Sequence, residues 1–68
     1  MSSPNLDVKK LGKDLAQFAT DGGEDYCWRC LRLWEGLPPD DKNYAIYKEA
    51  ARLLYKTEIG QKYAKHKV

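Results

Sequence analysis

Apolar residues recur every three to four positions through most of the chain, and this spacing predicts amphipathic helices. The first run predicts a helix over residues 4–20, with Ser3 as its cap and Pro4 at its first position. The predicted apolar stripe consists of Val8, Leu11, Leu15, Phe18 and Ala19. Gly12 lies beside this stripe, and a glycine there indicates that another helix packs closely against the first.

The second run predicts a helix over residues 24–35, preceded by two glycines and followed by Gly36 and two prolines. Its predicted apolar side consists of Tyr26, Cys27, Cys30, Leu31, Leu33, Trp34 and Leu37. Trp28 falls on the opposite side of the helical wheel, together with Arg29 and Arg32. The pattern therefore places one indole ring outside the core.

The third run predicts a helix over residues 41–57, with Asp40 or Asp41 as its cap. Its apolar side consists of Ile46, Tyr47, Ala50, Ala51, Leu53 and Leu54. A basic-aromatic strip runs along one edge of that side and consists of Tyr44, Lys48, Arg52 and Tyr55. Such a strip could contact an acidic protein surface or stack against bases.

The pattern in residues 57–68 neither requires nor excludes a short fourth helix. Thr57 could cap it, and Ile59 and Tyr63 are spaced for one apolar face, whereas Gly60 weakens a helix. Residues 1–3 and 65–68 are expected to fray. No alternating pattern of period two occurs, so no strand is expected. The prediction is an all-α single domain over residues 1–68, a compact three-helix bundle with or without that fourth helix.

Composition and charge bear on three possibilities for this chain: nucleic-acid binding, secretion and membrane association. The net charge is +2, which is too small to argue for nucleic-acid binding by itself. Residues 1–23 are neutral, residues 24–39 carry −1 and residues 40–68 carry +3, so the basic character lies towards the C-terminus. No secretory signal and no membrane-span pattern is visible, and we expect a cytoplasmic protein with reduced cysteines and no membrane association.

Cys27 and Cys30 form the only pattern typical of a chemical site, a single CxxC. Burial as core thiols is the favoured interpretation, because free cysteine is among the most buried residue types. Two alternatives are a metal ion shared between the CxxC motifs of two chains and a redox role. With one histidine, His66, the chain has no catalytic triad, and neither phosphate-binding glycine motif occurs. We therefore expect no enzymatic activity and no cofactor.

The function predicted from the sequence is a small interaction or regulatory protein that binds a protein partner. The predicted contact residues are Trp28, Arg29 and Arg32, extended by Tyr44, Lys48, Arg52 and Tyr55. One alternative is a nucleic-acid-binding module that uses the third helix and the basic tail. A further alternative is a homodimer, either simple or linked by metal through Cys27 and Cys30, since association buries more apolar surface.

Overall fold

A computed structural model describes residues 7–67, and this range contains four α-helices and no strand. The helices are α1 (Val8–Asp21), α2 (Glu24–Glu35), α3 (Tyr44–Leu54) and α4 (Glu58–Lys67). The predicted all-α fold is confirmed, and the fourth helix is present. Within the described range, none of the helices combines the length and apolar character needed to cross a bilayer.

The first helix starts at Val8. Asp7 is its cap: the Asp7 backbone is extended (φ −76°, ψ 90°), and its carboxylate accepts a hydrogen bond from the Lys10 backbone N–H at 3.1 Å. This start differs from the predicted one at residue 4. The predicted cap Ser3, the helical position Pro4 and the frayed residues 1–3 lie outside the described residues.

The core-facing side of α1 is made of small residues, namely Gly12, Ala16 and Ala19, and it packs most extensively against α3. A Cβ atom on Gly12 would lie 2.5 Å from the Glu49 Cβ and 3.1 Å from the Ile46 carbonyl oxygen. The close approach expected at Gly12 is therefore confirmed. This seam rotates the predicted apolar stripe partly into solvent, and Phe18, expected in the core, is 65% exposed.

The second helix has the predicted bounds. Gly23 precedes it with a φ of +91°, a backbone conformation that glycine adopts without strain. Glu24 and Asp25 occupy the first turn, where negative charge is favourable. The buried residues of α2 are Cys27, Cys30 and Leu31. Tyr26 and Leu33, predicted on the apolar side, are 45% and 52% exposed, because the other helices cover only part of that wide side.

The third helix is shorter than the predicted range of 41–57. The Asp41 carboxylate accepts a hydrogen bond from the Asn43 backbone N–H at 2.7 Å, so residues 41–43 form a turn before Tyr44. Residues 55–57 likewise form a turn after Leu54. The buried residues of α3 are Ala50, Ala51 and Leu54.

A tight corner joins α3 to α4. The Thr57 hydroxyl donates to the Leu54 carbonyl oxygen at 2.6 Å and accepts from the Gly60 backbone N–H at 3.0 Å, which confirms Thr57 as the cap. A Cβ atom on Gly60 would lie 2.6 Å from the Leu54 carbonyl carbon and 2.8 Å from the Tyr55 Cα. Gly60 therefore allows the corner to close, which outweighs its low helix propensity.

The fourth helix packs on α2 through one buried side chain. Tyr63 is 5% exposed, and its hydroxyl donates to the Glu35 carboxylate at 3.2 Å. Ile59 packs against the core beside it. The helix continues to Lys67, so residues 65–67, assigned from the sequence to a frayed tail, are helical. Residue 68 lies outside the described residues.

Candidate functional site

Trp28, the central residue of the predicted interface, is half-buried under α4. Its ring centroid lies 5.4 Å from that of Tyr63 in an edge-to-face arrangement and 5.2 Å from that of His66. The indole N–H is shielded from solvent and has no acceptor among the described residues. The prediction that this ring lies outside the bundle is therefore wrong, because α4 packs over it.

His66 contributes to this cover although its own side chain is exposed. The sequence placed it in a solvated tail. In the structure its ring plane is inclined by 35° to the indole of Trp28, so the two rings lie next to each other in a tilted arrangement. Trp28 was predicted to face solvent from helical periodicity, and His66 from its place in the expected frayed tail, so only the path of α4 brings the two rings together.

The two predicted arginines of α2 remain at the surface. Arg29 and Arg32 are both exposed, and neither forms an ion pair with any residue in the 7–67 range. They line a shallow pocket together with Asp25 and Trp28. The Arg29 guanidinium lies 5.6 Å from the ring centroid of Tyr26, a cation–π contact.

An exposed aromatic pair next to Arg29 was missed as a site. The rings of Phe18 and Tyr26 lie 6.0 Å apart. The Tyr26 ring covers the backbone of Gly22 so closely that a Cβ there would lie 2.6 Å from ring atoms. Both residues were assigned to the core, since periodicity shows an apolar arc but not which edge of the arc a neighbouring helix reaches.

These observations define one continuous surface, which we call the outer face of α2. It consists of five exposed residues, Asp25, Tyr26, Arg29, Arg32 and Leu33, and Phe18 of α1 borders it. Large apolar side chains and arginines without an ion-pair partner share this surface. Tyrosine, phenylalanine and arginine are residue types enriched at protein interfaces.

The basic-aromatic strip of α3 is largely occupied by contacts within the protein. The Tyr44 ring lies 4.9 Å from that of Trp34, and Tyr55 packs against the core. Arg52 forms a two-contact ion pair with Glu49, at 2.6 Å and 3.2 Å. Lys48 is exposed. Three of the four predicted strip residues therefore have partners within the chain.

The ion pair on α3 perturbs both of its members. Hydrogen bonding from Arg52 lowers the pKa of Glu49, and the same bond raises the pKa of the Arg52 guanidinium. Tyr44 meets α2 at Trp34, two positions after Arg32 and hence on roughly the opposite side of that helix. The structure thus does not unite the α3 strip with the outer face of α2.

Cys27 and Cys30 are core thiols, 1% and 6% exposed, as the favoured interpretation expects. The Cys27 thiol donates to the Ala19 carbonyl oxygen at 3.4 Å. Burial raises the pKa of both thiols, which opposes the thiolate needed for redox or metal chemistry. A metal shared between two chains would need both sulfurs at the surface, so this burial argues against Cys27 and Cys30 as ligands.

No group of three or more potential metal ligands occurs among residues 7–67. The polar groups at the outer face of α2 are two guanidinium groups, one exposed carboxylate and the hydroxyl of Tyr26. Comparisons of this chain with protein-family models, with curated proteins and with solved structures find no match.

Proposed function

We propose that this chain is a small non-enzymatic protein-binding module whose contact surface is the outer face of α2. The observation that supports it is the exposed ladder of Phe18, Tyr26 and Arg29, in which each group contacts the next. Leu33 extends the same surface with a side chain that is 52% exposed. Apolar and arginine side chains of this kind gain most from burial against a partner.

The proposal keeps Arg29 and Arg32 from the sequence-based prediction and replaces Trp28 as the anchor. Trp28 already contacts Tyr63 and His66, so removing it would disturb α4 rather than a partner. Tyr26 and Leu33 take its place because their exposed area is available. The two buried thiols fit the reducing environment of the cytoplasm, where we place the protein.

Site-specific photo-crosslinking tests the proposed surface. A photoreactive amino acid replaces Leu33 in the full chain, and the matched control carries it at Lys13, an exposed position of α1. Illumination, both of the purified protein and in extract of the native cells, should give discrete adducts from position 33 and few from position 13. Equal adduct yields at the two positions, or none at either, would remove the outer face of α2 as a binding surface.

The nucleic-acid alternative has one structural observation in its favour. Lys56, Lys62 and Lys65 line a groove beside the α3–α4 corner. Glu58 lies in the same groove, and Lys62 is 3.7 Å from the Glu24 carboxylate, so part of this charge is compensated. A titration of oligonucleotide binding against salt tests it, since counterion release predicts a steep fall in affinity. No binding at low salt would eliminate this alternative.

A further inference from the structure

The polar and apolar residues on the outer face of α2 are arranged symmetrically about one position. Tyr26 and Leu33 are seven residues apart and lie on one edge of that face. Asp25 and Arg32 are also seven apart and lie on the other edge. Arg29 lies between the two pairs, three or four residues from each member. At about 100° per residue, the two edges lie roughly 50° to either side of Arg29.

This arrangement is complementary to itself. A two-fold axis perpendicular to α2 at Arg29 would place a second α2 antiparallel to the first and keep each edge facing its own copy. On the apolar edge, Tyr26 of one copy would meet Leu33 of the other. On the polar edge, Asp25 of one copy would meet Arg32 of the other. Each contact occurs twice, so the interface would contain two apolar pairs and two ion pairs.

We propose that the partner of the outer face of α2 is a second copy of this chain, bound in this antiparallel arrangement. The inference rests on the proposed binding surface. Phe18 borders the Tyr26 edge and would extend the apolar half of the interface. The cation–π contact draws each Arg29 guanidinium towards Tyr26, which separates the two like charges at the axis.

Charge complementarity favours this occupant over others. The face carries both signs of charge, and Arg32 has no carboxylate partner in the described part of its own chain. An acidic partner would leave Asp25 facing like charge, and a nucleic acid would meet the same carboxylate. A second copy pairs Asp25 with Arg32 and leaves neither charge opposed. About six side chains per copy would take part, against the roughly 20–30 residues a side of a stable complex, so we expect weak, concentration-dependent association rather than a permanent dimer.

Charge reversal tests the arrangement with the full chain in reducing buffer. Sedimentation equilibrium of the wild type over a range of concentrations should fit a monomer–dimer equilibrium. Asp25→Arg should weaken it at least tenfold, because position 25 would then oppose Arg32, and Arg32→Asp should do the same with two carboxylates. An equimolar mixture of the two variants should form a heterodimer of about wild-type affinity, since one ion pair is restored with reversed sign and the other is the native pair of Arg32 with Asp25.

The mixture separates loss of pairing from loss of folding, because two misfolded variants would not rescue each other. Lys13→Glu, a charge reversal on an exposed position of α1, is the matched control and should leave the equilibrium unchanged. A wild type that stays monomeric at millimolar concentration would overturn the self-association, and a mixture that stays monomeric would overturn the antiparallel pairing of Asp25 with Arg32. If the self-association is overturned, adducts at Leu33 that form only in extract would still support the outer face of α2 as a binding surface. The absence of such adducts would remove the binding surface as well.

Discussion

The two flanks of α2 carry similar side chains and meet different surroundings. On one flank, Trp28 is covered by Tyr63 and His66 of α4; we call this the covered flank. On the other, Tyr26 and Leu33 remain about half exposed beside Phe18; we call this the open flank. Whether an aromatic side chain at the edge of an amphipathic helix is buried or exposed thus depends on the path of a segment that is distant in the sequence.

The corner at Gly60 determines which flank is covered, so breaking it should give the largest effect. Gly60→Ala would place a Cβ against backbone atoms of Leu54 and Tyr55, which no side-chain rotation relieves. We expect a loss of about 3 kcal/mol in the free energy of unfolding, or displacement of α4 with a red shift of tryptophan emission. Urea denaturation and fluorescence measure both.

Gly36→Ala is the matched control for that substitution. The atoms nearest to a Cβ on Gly36 are 4.0 Å away, and its φ of −95° suits alanine. Its effect should stay within about 0.5 kcal/mol. Similar losses from the two alanines would show that the α3–α4 corner is looser than the structure indicates. The corner would then not explain why one flank of α2 is covered and the other is open.

A direct comparison of the flanks should give the next largest effect. Trp28→Ala removes a ring packed against the core, and we expect a loss of about 2–4 kcal/mol in the free energy of unfolding. Leu33→Ser, on the open flank, should change it by under about 0.5 kcal/mol, because that side chain is already half in solvent. Urea denaturation followed by circular dichroism measures both, and equal losses would contradict the assignment of the flanks.

Some features of the fold and of the candidate site could be predicted from the sequence, and others could not. The bounds of α2 followed from glycines and prolines that punctuate the chain on both sides, and the seam at Gly12 followed from one small residue beside an apolar stripe. The cover on Trp28 did not follow, because it depends on the direction in which α4 leaves the corner at Gly60. Helical periodicity gives the angular position of each residue on its own helix and nothing about which neighbour arrives there.

The same limit explains the errors at the open flank. Phe18 and Leu33 belong to apolar arcs that are wider than the neighbouring helices can cover, and the small residues of α1 shift its contact side away from Phe18. The burial of Cys30 was predictable because it lies near the middle of its arc rather than at an edge. Residues near the middle of an arc are therefore predicted well, and residues at its edges are the ones that only the structure assigns.

The thiols between the two flanks should give a smaller effect, visible at high pH. Burial raises the pKa of Cys27 and Cys30 above the ordinary value of 9.0, so the folded chain keeps these protons to higher pH than the unfolded chain. Their contribution to stability is therefore complete below pH 9.0 and is lost as the pH rises through the folded-state pKa values.

Urea denaturation at several pH values from 8 upwards, a range chosen to span roughly the ordinary thiol pKa, measures this loss. The double variant Cys27→Ala/Cys30→Ala should show a shallower fall in unfolding free energy over the same range, since the remaining fall comes from other groups. Equal slopes for the two proteins would mean that water reaches the thiols from the open flank.

The ion pair across the covered flank should have the smallest effect. Lys62 of α4 lies 3.7 Å from the Glu24 carboxylate of α2, and both side chains are well exposed, so solvent screens their attraction. Lys62→Ala should lower the free energy of unfolding by at most about 0.5 kcal/mol, and the difference should vanish in high salt. Urea denaturation at low and high ionic strength measures it. A loss comparable to that of Trp28→Ala would mean that the ion pair, rather than the aromatic contacts of Trp28, holds α4 against α2 at the covered flank.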